Sequence, residues 1–198
     1  MAPSVAFLLG GTRPASNTNL LAREAMRALA ETGVRPVAID ITRLEAKHPG
    51  CLACYRCQAS EAYGCRLDDP VAQAVSSLAE HDAIVLATPM YWYSYPAQVK
   101  IFIDRMFSLF KFGDGNTVSS PLKHKPFGLL ATAGGPVEGN LQLLADQWRT
   151  PAQGLGNPFL ACLFPFSPSP AASLAEDAAA MAKAAGFGRD LAGLLGRA

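Results

Sequence analysis

Apolar residues fall along this chain in two alternating patterns: short unbroken runs, and longer stretches where they recur every three or four positions. The first run, Val5-Ala6-Phe7-Leu8-Leu9, stops at Gly10-Gly11. After a polar loop, Leu20, Leu21, Ala25, Leu29 and Ala30 repeat at helical spacing up to Gly33. A short run ending in glycine reads as a buried strand. The repeat reads as an amphipathic helix with Arg23, Glu24, Arg27 and Glu31 on its wet side. Val37-Ala38-Ile39 makes a second strand. Pro70, behind Asp68-Asp69, suits the first turn of a helix that buries Val71, Ala74, Val75 and Leu78 and ends near Glu80. Ala83-Ile84-Val85-Leu86-Ala87-Thr88 lacks polar alternation, which predicts a central strand buried on both faces. A helix with Val99, Phe102, Ile103 and Met106 inward follows. Then come a strand at 126–132, a helix at about 137–148, a strand at 159–164 and an Ala-rich helix at about 171–185, its pattern continuing toward Ala198.

Strands alternating with helices in this way predict an α/β fold, a five-stranded, doubly wound parallel sheet with helices on both faces, formed by residues 1–198 as a single domain. Periodicity lapses over residues 42–69, an insertion-like, cysteine-rich segment, and irregular stretches of that length inside a domain are usually functional. Ligands of such sheets bind beyond the carboxyl ends of the strands, where the strand order reverses. Three loops at those ends carry unusual chemistry. After the first strand, Thr12, Arg13, Ser16, Asn17 and Thr18 surround a helix N-terminus, whose unpaired N–H groups and dipole favour an anion. These groups suit a phosphate monoester; the competing reading is an over-provided helix cap. After the third strand, residues 89–96 place three tyrosines and a tryptophan between two prolines. After the fourth, Thr132-Ala133-Gly134-Gly135 lets backbone approach a ligand closely. In the order 2-1-3-4-5 these loops converge on one crevice. A phosphate at the first loop, with a flat ring between the other two, describes flavin mononucleotide (FMN).

Composition narrows the partners. The 198 residues are half apolar with a formal charge of +1, so no basic surface for nucleic acid or an anionic membrane is expected. No apolar run approaches the roughly 20 residues of a membrane span, and the N-terminus lacks a signal-peptide pattern; the expectation is a cytoplasmic protein. Four of five cysteines lie between Cys51 and Cys65, which points to redox or metal chemistry rather than structural disulfides. Spacings of two, two and seven residues allow Cys51, Cys54, Cys57 and Cys65 to ligate a 4Fe-4S cluster. The same residues could hold zinc or serve as free thiols. Cys162, within the last strand, is expected to be an inert core residue. His48, His81 and His124 receive no catalytic role, being expected at the surface or in caps. Lys100, Asp104 and Arg105 are expected to fix the third helix or a subunit contact.

Five pieces of the sequence, in order, resemble the flavodoxin-fold NAD(P)H-dependent FMN reductases and the iron-sulfur flavoproteins close to them. They are Gly11-Thr12-Arg13 with Ser16-Asn17-Thr18; Cys51, Cys54, Cys57 and Cys65 followed by Asp68-Asp69; Thr88-Pro89-Met90-Tyr91; Lys100 with Phe102-Ile103-Asp104-Arg105; and Thr132-Ala133-Gly134-Gly135. The resemblance implies a flavodoxin-like sheet and FMN with its phosphate in the first loop. It implies Pro89, Met90, Tyr91 and Trp92 flanking the flavin ring, and Thr132 to Gly135 along its polar edge. The implied activity is transfer of hydride from NAD(P)H and of electrons to an acceptor, a quinone, a flavin or a protein, with no catalytic side chain strictly required. The other reading is a flavodoxin-like electron carrier or flavin-binding module without NAD(P)H turnover. A homodimer or homotetramer is expected, with the aromatic residues 91–95 and the excursion 109–125 partly covered by a neighbouring subunit.

Overall fold

A computed structural model of the chain describes residues 2–196. Its main sheet has five parallel strands: β1 (Ser4–Leu9), β2 (Arg35–Asp40), β3 (Ala83–Pro89), β6 (Phe127–Thr132) and β7 (Phe159–Phe164), in the order β2-β1-β3-β6-β7. Counting only these strands, the order is the expected 2-1-3-4-5, and the fold is flavodoxin-like. β4 (Lys111–Phe112) and β5 (Val118–Ser119) form a separate antiparallel hairpin within the excursion, where no strand was expected.

Alternate residues of the central strands point to opposite faces, so the sheet divides the core in two. On one face Ala6, Leu8, Ile84, Leu86 and Leu129 meet α2 (Pro70–Ser77), α3 (Ala97–Arg105) and α4 (Gln142–Gly154) through Val75, Val99, Phe102, Leu144 and Trp148. On the other, Val5, Phe7, Leu9, Val85 and Leu130 meet α1 (Asn17–Ala30) and α5 (Ala178–Leu195) through Leu21, Ala25, Leu29, Ala184, Phe187 and Leu191. The two outer-face helices approach closely at Gly188, where a Cβ would stand 2.2 Å from the Ala25 carbonyl oxygen.

Several expectations need correction. α5 starts at Ala178 rather than near 171, because the Asp177 side chain caps it by accepting from the Ala179 and Ala180 N–H groups, while Ala172 is held left-handed at φ 56°. It then runs to Leu195, past the expected end; residues 197–198, to which its pattern was extended, lie outside the described residues. α4 runs beyond Trp148 and through Pro151, since Trp148, Ala152 and Leu155 continue one buried face. Tyr95 is not an exposed aromatic: its hydroxyl donates to the Leu144 carbonyl inside the core. His81 is likewise buried, its Nδ1 3.1 Å from Ser4 Oγ, and burial with nearby Arg35 and Lys125 holds its pKa below the ordinary value.

Candidate active site

The first loop is shaped by its own side chains. Gly10 donates to the Ala87 carbonyl at 2.7 Å, and a Cβ there would meet Val99 Cγ2 and that same carbonyl oxygen at under 3 Å, so only glycine lets β1 end against β3. Gly11 is clasped by Asn19, whose Oδ1 accepts from the Gly11 N–H and whose Nδ2 donates to the Gly11 carbonyl. Ser16 caps α1 by accepting from the Asn19 N–H at 3.1 Å. The N–H groups of Asn17 and Thr18, the first two of the helix, have no backbone partner among the described residues. They are a preformed donor pair at the positive end of a helix dipole.

Around this pair lies an open cavity of about 280 Å³. It is lined by Thr12, Arg13, Ser16, Asn17 and Thr18 from the first loop, Pro89, Met90 and Tyr91 from the end of β3, and Thr132, Ala133 and Gly134 from the end of β6. Two hydrogen bonds hold these loops together: Thr12 Oγ1 with Tyr91 Oη at 2.8 Å, and Thr18 Oγ1 with Thr132 Oγ1 at 2.6 Å. Two residues of the expected set stand apart from the cavity wall. Trp92 is 93% exposed, because Trp92 (φ 47°) and Tyr93 (φ 60°) form a left-handed two-residue turn between the paired Tyr91 and Ser94. Gly135 is absent from the lining and sits against Asn140 instead. Asn17 lines the cavity, yet its amide group is turned to the loop after β7. Three lining residues went unanticipated: Ser167, Pro168 and Ser169 of that loop. Their signal was available, as a Pro/Ser run immediately beyond the carboxyl end of a parallel strand.

The cysteine segment borders a second cavity. Cys51, Cys54, Cys57 and Cys65 line one small, predominantly apolar cavity with Leu52, Tyr55, Leu67, Arg105 and Phe107, and all four are free thiols. Among the described residues no group of three or more His, Cys, Asp or Glu side chains is arranged to hold a metal ion. The donor chemistry nevertheless suits a thiolate-ligated centre. Four thiols on one apolar cavity are the donor set such a centre takes, and Ala53 (φ 48°) and Tyr55 (φ 53°) are left-handed on either side of Cys54. A backbone hydrogen bond from Arg56, and then its side chain, hold the Cys54 thiol below its ordinary pKa.

A buried ion pair ties this segment to the fold. Arg105 is 1% exposed; its guanidinium donates to Asp69 Oδ1, to the Gly50 carbonyl at 3.2 Å and to the His48 carbonyl at 3.1 Å. Asp69 in turn accepts from the N–H groups of Ala72 and Lys47. Arg105 therefore does more than fix the third helix: it grips both flanks of the cysteine segment. Lys100 and Asp104 pair with each other on the exposed side of α3.

The family model for NADPH-dependent FMN reductases matches residues 3–150, which include the first loop, the cysteine segment and the ends of β3 and β6. An iron-sulfur flavoprotein of Methanocaldococcus jannaschii is 35% identical over 96 residues, 48% of each chain. An iron-sulfur flavoprotein of Archaeoglobus fulgidus is 29% identical over 99 residues, 50% of this chain and 43% of that protein. The chain thus matches about half the length of these curated relatives. Among solved structures, an NAD(P)H:quinone oxidoreductase from Methanothermobacter marburgensis superposes with a TM-score of 0.72 at 17% identity, covering 96% of this chain and all of that one, a likeness of fold. With its strand order, its helix-terminal donor pair and three quarters of its length matched, this chain belongs to the NADPH-dependent FMN reductase family.

Proposed function

We propose that this protein is an FMN-dependent oxidoreductase that takes electrons from NAD(P)H and delivers them to an acceptor of the quinone or flavin class. The observation that carries the reading is the cavity at the ends of β1, β3 and β6, with unpaired N–H groups at one end and room beside Met90 and Ala133 at the other. FMN held there would supply the redox chemistry, the capacity to take a hydride from reduced nicotinamide and to pass its electrons to the acceptor. The chain's residues bind and orient. The N–H groups of Asn17 and Thr18, the hydroxyls of Thr12 and Ser16 and the charge of Arg13 receive the phosphate. Pro89, Met90 and Tyr91 would flank the ring, and Thr132, Ala133 and Gly134 would offer backbone groups to its polar edge. No acid or base side chain is assigned to the transfer.

The finer reading includes a 4Fe-4S cluster on Cys51, Cys54, Cys57 and Cys65. It is supported by the convergence of four thiols on one apolar cavity and by the similarity to proteins named iron-sulfur flavoproteins. Subunit association is part of the same reading. Trp92, Tyr93, Phe112 and Val118 are exposed on the two segments expected to meet a neighbour, and a homodimer or homotetramer would cover them. No helix among the described residues is long and apolar enough to cross a membrane, which fits a place in the cytoplasm.

The test is anaerobic purification with a visible spectrum before and after NADPH. Flavin absorbance bleached by NADPH and restored by a quinone supports the oxidoreductase. Bound flavin inert to both nicotinamides makes the protein a carrier, and absence of flavin uptake refutes the reading. Iron and sulfide analysis of the same sample, alongside Cys54→Ala, decides the cluster: about four irons per chain, lost in the variant, support it, whereas zinc or bare thiols refute it.

A further inference from the structure

The loop between β7 and α5 lies beyond the part of the chain matched to the family, yet it forms one wall of the cavity. It is fastened at both ends. On the ring side, the Phe166 N–H donates to the Gly135 carbonyl at 3.1 Å and the Ser167 N–H to the Ala133 carbonyl at 2.8 Å. On the phosphate side, Asn17 Nδ2 donates to the carbonyls of Pro168 and Pro170 and to Ser173 Oγ, at 2.9–3.1 Å. Asn17 Oδ1 accepts from the Leu174 N–H, so every polar atom of this 4% exposed side chain is spent on the loop. Arg13 Nη1 adds a bond to the Ser169 carbonyl at 2.7 Å, and the Ala172 N–H one to the Ala15 carbonyl at 2.9 Å.

We propose that residues 165–175 are a strap that closes the phosphate end of the flavin site, anchored by Asn17 and Arg13, and that Ser169 contributes its hydroxyl to the phosphate. The strap makes the site selective for a flavin monophosphate over a dinucleotide. This rests on the FMN reading above and deepens it. Two features give the strap its chemistry. The carbonyls of Pro168 and Ser169, which would repel an anion if turned inward, are instead occupied by Asn17 and Arg13. The Ser167 hydroxyl is spent on the Phe164 carbonyl, whereas that of Ser169, a residue that lines the cavity, has no partner among the described residues. A guanidinium has five N–H donors. Arg13 uses one on the strap, leaving the others and the full charge for the phosphate, so the same side chain couples phosphate binding to strap closure. If the strap closes the phosphate end as proposed, a second phosphate extending the first, as in FAD, meets it.

The experiment removes flavin from the whole protein and measures equilibrium binding of FMN, riboflavin and FAD, with FMN release followed by recovery of flavin fluorescence. A hydrogen bond to a charged group supports a loss of about 10-fold in FMN affinity for Ser169→Ala, with riboflavin unchanged. Asn17→Ala should speed FMN release by at least about 10-fold through loss of the four bonds and narrow the preference for FMN over FAD. If Asn17→Ala does not fold, Ser173→Ala removes one tie from outside the cavity, and the same FMN-to-FAD ratio is read with a smaller expected change. FMN and riboflavin weakened by one common factor, or a FMN-to-FAD ratio equal to wild type, would overturn the strap. Wild-type protein that takes up none of the three flavins would instead overturn the functional reading, and the strap with it.

Discussion

Replacing Asp69 by Ala removes a carboxylate on which three parts of the structure depend. Its Oδ1 accepts from the Ala72 N–H to cap α2 and from the Arg105 guanidinium, and its Oδ2 accepts from the Lys47 N–H. Both side chains of the pair are fully buried, so the variant leaves a desolvated guanidinium without its counter-charge, a loss of about 3–5 kcal/mol. The lost helix cap contributes about 1 kcal/mol by itself, but Oδ1 serves both roles, so the two losses overlap and the total stays near 4–5 kcal/mol. For a chain of this size that lowers the melting temperature by roughly 10–20 °C. Urea unfolding of flavin-free protein, followed by circular dichroism, reads the loss directly. The pH dependence has a definite sign. Burial raises the Asp69 pKa, but the Arg105 hydrogen bond and charge and the backbone N–H groups outweigh it, and the folded value lies below the ordinary one. The stabilisation is therefore complete above the unfolded carboxylate's pKa of about 3.9 and is lost as pH falls through the lower folded value. The gap between wild type and variant should be constant from about pH 6 to 8 and narrow below about pH 4. Asp69→Leu combined with Arg105→Met should recover much of the loss, since an apolar pair substitutes for a buried ion pair better than half of one does. A loss under about 1.5 kcal/mol for Asp69→Ala would refute the description of this pair as a buried clamp.

Gly188→Ala should destabilise by about 1–3 kcal/mol in the same unfolding assay, because the new methyl meets backbone and α1 and α5 must separate. Gly186→Ala, two residues away with nothing within 4 Å of the added carbon, should be neutral or stabilising by up to about 1 kcal/mol. In iron-free protein, timed alkylation at neutral pH read by mass spectrometry should label exposed Cys54, its pKa lowered by Arg56, ahead of Cys162. Burial pushes the Cys162 thiol up to about 11, so it should react only once urea unfolds the chain. Tyr95→Phe leaves the Leu144 carbonyl without its buried donor and should cost about 1–2 kcal/mol in stability, while FMN affinity stays at the wild-type value.

The sequence determined whatever depends on residues within a turn or two of one another. Val5 to Leu9 and Ala83 to Ala87 are unbroken apolar runs because both faces of those strands are covered, and the composition of each run states that by itself. The starts of α1 and α2 were legible, with Ser16 in a stretch of capping residues and Asp69 just before Pro70, because a cap and the N–H it serves are three residues apart. The cysteine spacing, likewise local, marked a cavity lined by all four thiols. Tertiary structure decided the rest. Nothing near Asn17 announces that its amide will be consumed more than 150 residues away, and nothing near Arg105 announces Asp69, 36 residues before it. Tyr91 and Tyr95 look alike in sequence, yet a left-handed turn sends the first to Thr12 and the second into the core. Residues 171–177 carry alanines that favour helix, but ties to Asn17 and Ala15 hold them as turns. Helix propensity is worth tenths of a kcal/mol per residue, and several hydrogen bonds made at once by a distant loop outweigh it.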